Sequence, residues 1–592
     1  MGANTEAPTS GIVTQNREAW ERFATYASSS ASPLRETMES SRGMVGERWG
    51  QHTLAASGPL GSATIMFVPP LADATGKAER TLSQCLERGD PIEDHHDQSS
   101  VAFWSKTTSE LRLYRDWRGS PPIYYHIDGS TLLWSTSIRE LLQLGVARIP
   151  DKLALAQFQR VGYVPAPRTM VEGIKKVPAG HILSFGPSGS LTRRHWSPPF
   201  APKHRDPTEK RAAAVRTILA EAIGSMAAPS GRTAVLLSGG IDSMLVLAIA
   251  ARAVGLDLAA FTFRYEDYTG RYNEGPIARA AATALGVEHT EIPIGPTFVT
   301  DNLPRLLVAY EEPMTYGLHS SRMEPIADQG IGVALSGADA PFLNMPSPMA
   351  WALRTEAVVS RPLLDIGRRI TGRSSAGPLH RANTLLSMAQ AGIARQYLEF
   401  PLHKVVPETL ASTLYRDRDL HAQALSEMEE ELSETAAVPD GVTTRDRLVL
   451  LGLTGSAAEH VLTWNHRWGL LAGISVRFPL CDDAFVAYMS RKTMGTPGKE
   501  DLRTLAAEFL PEEVVATPKV PQTIPLDEWF RGPLQPYLRE QLSRDAVVAE
   551  GTFVPEVIET CLDEHVAGHA NHKWALWSSL TYLLWRRHVL EG

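Results

Sequence analysis

Cysteine is scarce in this 592-residue chain, which has only Cys85, Cys481 and Cys561. Thiols so far apart form neither a disulfide framework nor a CxxC metal knuckle, so a reducing, cytoplasmic setting is expected. Basic excess is missing as well: 58 Lys+Arg against 66 Asp+Glu leave a net charge of -8, which lacks the electrostatic footprint of a general nucleic-acid binder. No apolar run approaches the roughly 18 residues of a membrane span. The opening MGANTEAPTSGIVTQNREAW has neither the basic nor the apolar region of a signal peptide. Nucleic acid and membrane are therefore not expected partners. There is no internal repeat, and with 43% hydrophobic and 21% charged residues the chain is neither disordered nor fibrous.

What is present divides in two. Residues 1 to about 60 are rich in Ala, Ser, Thr and Gly with weak periodicity, and read in part as a loose extension. From Ser62 come short β-branched and aromatic runs, ATIMFV, VAFWSK, ELRLYRD, PPIYYHID and TLLWSTS, then HILSF, the turn GPSGS and LTRRHW as a hairpin. SPPFAPKHRDPTEK, with four prolines, reads as a linker. Beyond it PTEKRAAAVRTILAEAIGSMA is an amphipathic helix. RTAVLLS, DLAAFTFRY, VEHTEIPI and GIGVALSG then read as strands alternating with helices. That alternation indicates a parallel sheet with its ligand crevice at the carboxyl ends of the strands. After about residue 345 the chain reads as mainly helical.

Chemistry concentrates in AVLLSGGIDSMLVLAIA, residues 234–250. A buried strand ends at Leu237, and Ser238, Gly239, Gly240, Ile241, Asp242 and Ser243 turn sharply into an apolar helix. Glycines let backbone N–H groups approach an anion, serines add hydroxyls, and a helix N-terminus favours negative charge. The GxxxxGK[ST] pattern and its lysine are absent, so this is not a Walker A loop. SGGxDS after a strand resembles the pyrophosphate loop of the N-type ATP pyrophosphatases, which cleave ATP between the α and β phosphates. In VALSGADAPF, Asp339 falls just past another strand, on the same edge as Asp242; two carboxylates there could share a Mg²⁺ ion. The plainer reading of Asp339 is a turn or cap residue.

Motifs in order along the chain resemble the asparagine-synthetase superfamily: DWRGSPPIYYHIDG, LLWSTSIREL and GYVPAPRTMVEGIKKVPAGHILSF in the first half, and LSGGIDS, SGAD, VRFPLCDD, KEDLR and TPKV in the second. The resemblance implies an α/β protein of two domains. Residues 1–205 would form a β-rich sandwich like an N-terminal-nucleophile glutaminase, a degenerate glutamine amidotransferase-like domain. Residues 206–592 would form a parallel-sheet, PP-loop (adenine nucleotide α hydrolase-like) synthetase domain with many helices. Glutaminases of the superfamily expose a cysteine directly after the initiator methionine, where this sequence has Gly2. The expectation is therefore an amine carried by the substrate, as in lasso-peptide macrolactam cyclases or, second, β-lactam synthetases, rather than ammonia from glutamine. A cyclase would take a peptide bearing both amine and carboxylate, with a leader peptidase and a precursor-recognition protein as partners.

By the same resemblance ATP is held by Leu237, Ser238, Gly239, Gly240, Asp242, Ser243, Phe263, Gly337 and Lys499, and Mg²⁺ by Asp242 and Asp339. Lys519 in TPKV is similar to the lysine that stabilises charge during amide formation. Three residues before Asp339 stands Ser336, a poor base, so Glu311 and Glu312 in AYEEP, which resemble a family acidic pair, are the candidate bases, with Glu274 beside them. A substrate pocket between the sheet edge and helices of residues 345–450 is expected, lined by Trp351, Trp464 and Trp468. His460 and His466 are expected to cap or pack.

Overall fold

The computed structural model describes residues 10–14, 22, 34–40, 43–48, 54–57, 63–68, 100–105, 108–119, 121–266, 273–338, 392–399, 405–438, 442–492, 499–517 and 524–592. The first half contains two six-stranded sheets. One runs in the order Lys175–Lys176, Tyr124–Asp128, Thr131–Ser135, Ser10–Thr14, Gly43–Arg48, Leu34–Ser40, and the other in the order Gly189–Arg194, His181–Gly186, Glu110–Arg115, Ser100–Ser105, Ala63–Val68, Leu54–Ser57. Every pairing in both is antiparallel. Tyr125, Leu132 and Trp134 of the first sheet share one core with Trp104, Leu113 and Phe185 of the second, so the sheets face each other as a sandwich. The expected hairpin is present, His181–Gly186 paired with Gly189–Arg194.

The opening segment is not simply a loose extension. Ser10–Thr14 is a central strand held between Gly43–Arg48 and Thr131–Ser135. Its order comes from partners that lie 30 or more and about 120 residues further along the chain, which local periodicity does not register.

The second half is built on a five-stranded sheet in the order Glu288–Ile294, Leu258–Tyr265, Thr233–Leu236, Val333–Ser336, Ser475–Arg477, parallel throughout. The chain starts in the middle, steps outward twice, then crosses to the other side. Thr233–Leu236 and Val333–Ser336 therefore flank the point where strand order reverses, the usual ligand position of such sheets. Helices Thr208–Met226, Ile241–Ile249 and Gly275–Leu285 form as expected, the last ending at Gly286 in the left-handed conformation, φ 70°. The described residues after 392 are mainly helical. Among the described residues no helix is long and apolar enough to cross a membrane.

The tryptophan-rich C-terminal helix Lys573–Trp585 is core: Trp577 and Trp585 are 0% exposed. Full burial of such a side chain is worth roughly 1.5–3 kcal/mol. The proline-rich linker is docked rather than loose: Lys203 pairs with Asp446 at 2.8 Å, and the His204 N–H reaches the Arg491 carbonyl at 2.9 Å.

Candidate active site

The loop Ser238–Ser243 leaves the carboxyl end of Thr233–Leu236 and enters helix Ile241–Ile249. Leu237 extends the strand, its N–H on the Phe261 carbonyl at 2.7 Å. Its own carbonyl accepts the Thr262 hydroxyl at 2.8 Å, and that hydroxyl lies 2.8 Å from His289 Nε2. Phe263 follows on the same neighbouring strand, 8% exposed.

Within the loop the serines act on the loop itself. Ser243 Oγ accepts the Ser238 N–H at 2.9 Å and lies 2.9 Å from Ser238 Oγ, which in turn accepts the Gly240 N–H at 3.2 Å. The sequence pattern reads both hydroxyls as donors to an anion; in the fold Ser243 is 5% exposed and ties the turn shut. The helix starts at Gly240 with no side-chain cap, so its first-turn N–H groups are those that attract an anion.

Gly337 sets how closely the next strand approaches. A Cβ there would sit 2.5 Å from Ser243 N and 2.6 Å from Ser243 Cα, so only glycine lets the two sides of the switch point meet.

Asp242 lies in the first turn of the helix, one carboxylate oxygen paired with the Lys499 ammonium. The other oxygen, Oδ1, is buried with no hydrogen-bond partner among the described residues. Lys499 directly precedes helix Glu500–Ala506, which is fixed by Asp501: Arg211 reaches Asp501 at 2.8 Å, and Lys492 pairs with the opposite oxygen. A cavity of about 150 Å³ opens beside the loop, lined by Gly239, Ile241, Met244, Lys499, Arg503, Val515 and Thr517. It has room for about ten water-sized atoms, enough for a diphosphate. Arg503 also donates to the Val515 carbonyl at 2.6 Å, in helix Glu512–Ala516. This tether, and the pairing of Lys499 with Asp242 across 257 positions, leave no local signal in the sequence.

Other expected site residues stand elsewhere or outside the described residues. Asp339, Lys519 and Trp351 lie outside them. Glu311 and Glu312 are 4% exposed and turned to the seam between the sandwich and the synthetase half. Glu311, in the left-handed conformation at φ 66°, closes helix Pro296–Tyr310. Its carboxylate takes the Ser137 hydroxyl, the Ile138 N–H at 3.1 Å and the Arg139 N–H at 3.4 Å, with Arg467 at 3.5 Å. Glu312 pairs with Lys176 at 3.1 Å, and burial, partly offset by Lys176, raises its pKa. These are tie points between domains, not the open carboxylates that amine deprotonation requires. Glu274 is also buried, 3% exposed, beside Gly239. Trp468 is 0% exposed and donates to the Gly317 carbonyl at 3.0 Å. It is core rather than pocket lining, as is Trp464, whose ring covers Gly317. His466 is packed, as expected; burial, aided by Arg467 and Arg477, pushes its pKa down to about 3.

The geometry thus provides an anion cradle at a topological switch point, with a carboxylate and an ammonium at its rim. The asparagine synthase family model matches residues 214–587, and a glutamine amidotransferase domain matches residues 81–196. A putative glutamine-hydrolysing asparagine synthetase of Mycobacterium tuberculosis is 24% identical over 530 residues, covering 83% of this chain and 76% of that protein. Asparagine synthetase (glutamine-hydrolysing) 1 of Bacillus subtilis is 22% identical over 510 residues, covering 83% and 77%. The carboxyethyl-arginine β-lactam synthase of Streptomyces clavuligerus is 32% identical over 251 residues, covering 42% of this chain and 45% of that one. The chain belongs to the asparagine synthase family of ATP-dependent carbon–nitrogen ligases, with a parallel-sheet synthetase half and a glutamine amidotransferase-like sandwich as its first half.

Proposed function

We propose that the protein forms an amide within its substrate by way of an acyl-adenylate, and that its reaction is closure of a lasso-peptide macrolactam. A substrate carboxylate oxygen attacks the α phosphorus of ATP and pyrophosphate leaves. The substrate amine then attacks the acyl carbon, AMP departs with the bonding pair, and the amine proton passes to solvent or a phosphate oxygen. The observation that carries this reading is the cradle itself: the uncapped helix start at Gly240, with Lys499 and Arg503 lining the adjoining cavity. Cations and N–H groups placed there stabilise the departing pyrophosphate, the main task of a phosphoryl- or nucleotidyl-transfer site.

Mg²⁺ fits the donor set. Asp242 offers a hard oxygen buried without a hydrogen-bond partner among the described residues, and Mg²⁺ commonly takes only one or two carboxylates alongside substrate phosphates. Asp339 is proposed as the second. Bound there, the ion would neutralise phosphate charge. Lys519 is proposed to stabilise charge as the amide forms.

The amine is proposed to be carried by the substrate rather than supplied as ammonia from glutamine. A second reading, a small-molecule ligase that closes a β-lactam, is favoured by the 32% identity with the β-lactam synthase across 251 residues. ATP–pyrophosphate exchange separates the two. A cyclase exchanges with a linear peptide bearing a free N-terminal amine and an internal Asp or Glu; a small-molecule ligase exchanges with an amino-acid-sized carboxylate and ignores the peptide. Exchange with neither overturns both. A cytoplasmic location, with a leader peptidase and a precursor-recognition protein as partners, belongs to the cyclase proposal.

A further inference from the structure

A second cavity, sharing no residue with the one beside the nucleotide loop, lies on the seam between the two halves. One wall comes from the sandwich half, Tyr163, Pro165, Ala166, Pro178, Ala179 and His181; the other comes mainly from helix Leu420–Thr435 and the wide helical stretch Leu453–Leu462. Its volume of about 60 Å³ corresponds to about four or five water-sized atoms. Met428, Leu432 and Leu451 make the lining largely apolar.

The polar groups facing this space differ in how far they are already satisfied. Tyr163 and Tyr397 bond to each other through their hydroxyls at 3.1 Å, and Tyr397 also accepts the Ser456 N–H at 3.1 Å. Burial raises the pKa of Tyr163, so its hydroxyl stays neutral. Glu459 is neutralised from behind by Arg115 at 2.8 Å and Lys176 at 3.4 Å. His181 is held below its usual pKa by burial and brings no charge. Glu431 has no ion-pair partner within 4.0 Å among the described residues; the nearby Arg168 is spent on Asp151 at 2.7 Å and Glu427 at 2.6 Å.

The cavity thus presents one unneutralised carboxylate, tyrosine rings, an apolar wall and room for four or five heavy atoms. Tyrosine faces and a carboxylate both attract a compact cation, and the apolar wall takes its methylenes. We infer that this seam cavity is a binding site for a primary alkylammonium group, with Glu431 as its counter-ion.

Burial raises the Glu431 pKa to about 7, against the opposing pull of Arg168 and Lys175 and with help from Glu427 and Glu434. Occupancy by a cation therefore depends on Glu431 being ionised. The site is independent of the reaction assigned to the nucleotide loop, and its test needs no turnover.

The test uses the full chain and n-butylamine, which has five heavy atoms and stays charged up to about pH 10, with 1-butanol as its uncharged counterpart. Binding is followed by saturation-transfer NMR. Saturable n-butylammonium binding at pH 8 is expected, weaker or absent for 1-butanol, and about tenfold weaker at pH 6, where most Glu431 is protonated. Glu431→Gln should weaken it at least about tenfold, and Leu451→Trp, which fills the cavity, should abolish it. Nα-acetyl-lysine methylamide is the second probe: binding tighter than n-butylamine assigns the ammonium to a lysine side chain, and weaker binding assigns it to a free amine. Equal affinity for amine and alcohol, or no change in affinity from pH 8 to pH 6, overturns the inference in the wild-type protein alone. Undiminished binding to folded Glu431→Gln overturns it as well.

Discussion

Gly337 and Asp242 carry most of the consequence at the scale of single residues. Alanine at position 337 would place its Cβ 2.5 Å from the Ser243 nitrogen, and this backbone cannot yield without moving the loop. Overpacking of this kind costs about 1–3 kcal/mol, and a misplacement of about 1 Å at a reacting centre can cost about 100-fold in rate. Gly337→Ala is thus expected to lose at least that much ATP–pyrophosphate exchange while remaining folded, as judged by circular dichroism. Asp242→Asn keeps the shape of the loop and removes the charge facing Lys499. It is expected to lose about 100-fold in exchange, with a loss of stability of about 1–3 kcal/mol because a mostly buried pair with Lys499 is broken. Glu312→Gln tests the opposite assignment: as a tie between domains it should cost about 1–3 kcal/mol of stability with kcat little changed. A collapse of kcat at unchanged Tm would return Glu312 to the role of base.

Among the elements, helix Thr463–Ala472 buries His466 beside Arg467 and Arg477, with its pKa pushed down to about 3. The sign follows from proton counting. Between about pH 6.5 and pH 3 the unfolded chain holds a proton on this ring that the folded chain does not. The stability present above pH 6.5 is therefore lost as pH falls, by roughly 1 kcal/mol per pH unit. Urea unfolding at pH 7, 6 and 5 should show that slope, and His466→Gln should flatten it. The elements that were legible in the sequence owe their form to local signals. Gly275–Leu285 ends in a glycine at φ 70°, and Thr233–Leu236 is a short apolar run before a glycine turn. Ser10–Thr14 was not legible, because its order comes from strands at both its sides that are distant in sequence. The loop Ser238–Ser243 could be placed from six consecutive residues, whereas the destination of Glu311 could not: its partners, Ser137 to Arg139, lie more than 170 positions away.

Across the whole molecule, buried ion pairs join the halves. Arg115 meets Glu459 at 2.8 Å with 1% and 3% of their side chains exposed, and Lys176 meets both Glu312 and Glu459. Arg118 and Trp117 reach Asp483 at 2.9 and 2.8 Å. Charges so buried must stay paired, so Glu459→Ala, which leaves Arg115 uncompensated, should destabilise by about 3–5 kcal/mol. The two halves should melt in one calorimetric transition rather than two, and the sandwich then serves as part of the synthetase scaffold. The central claim concerns what happens to ATP at the loop, and ³¹P NMR of a turnover mixture tests it most directly. With ATP, Mg²⁺ and a linear peptide carrying a free N-terminal amine and an internal Asp or Glu, the account predicts AMP and pyrophosphate in equal amounts, one of each per amide formed, and about 100-fold slower release of both with Asp242→Asn. ADP and phosphate as products, or AMP released equally by Asp242→Asn, would contradict it.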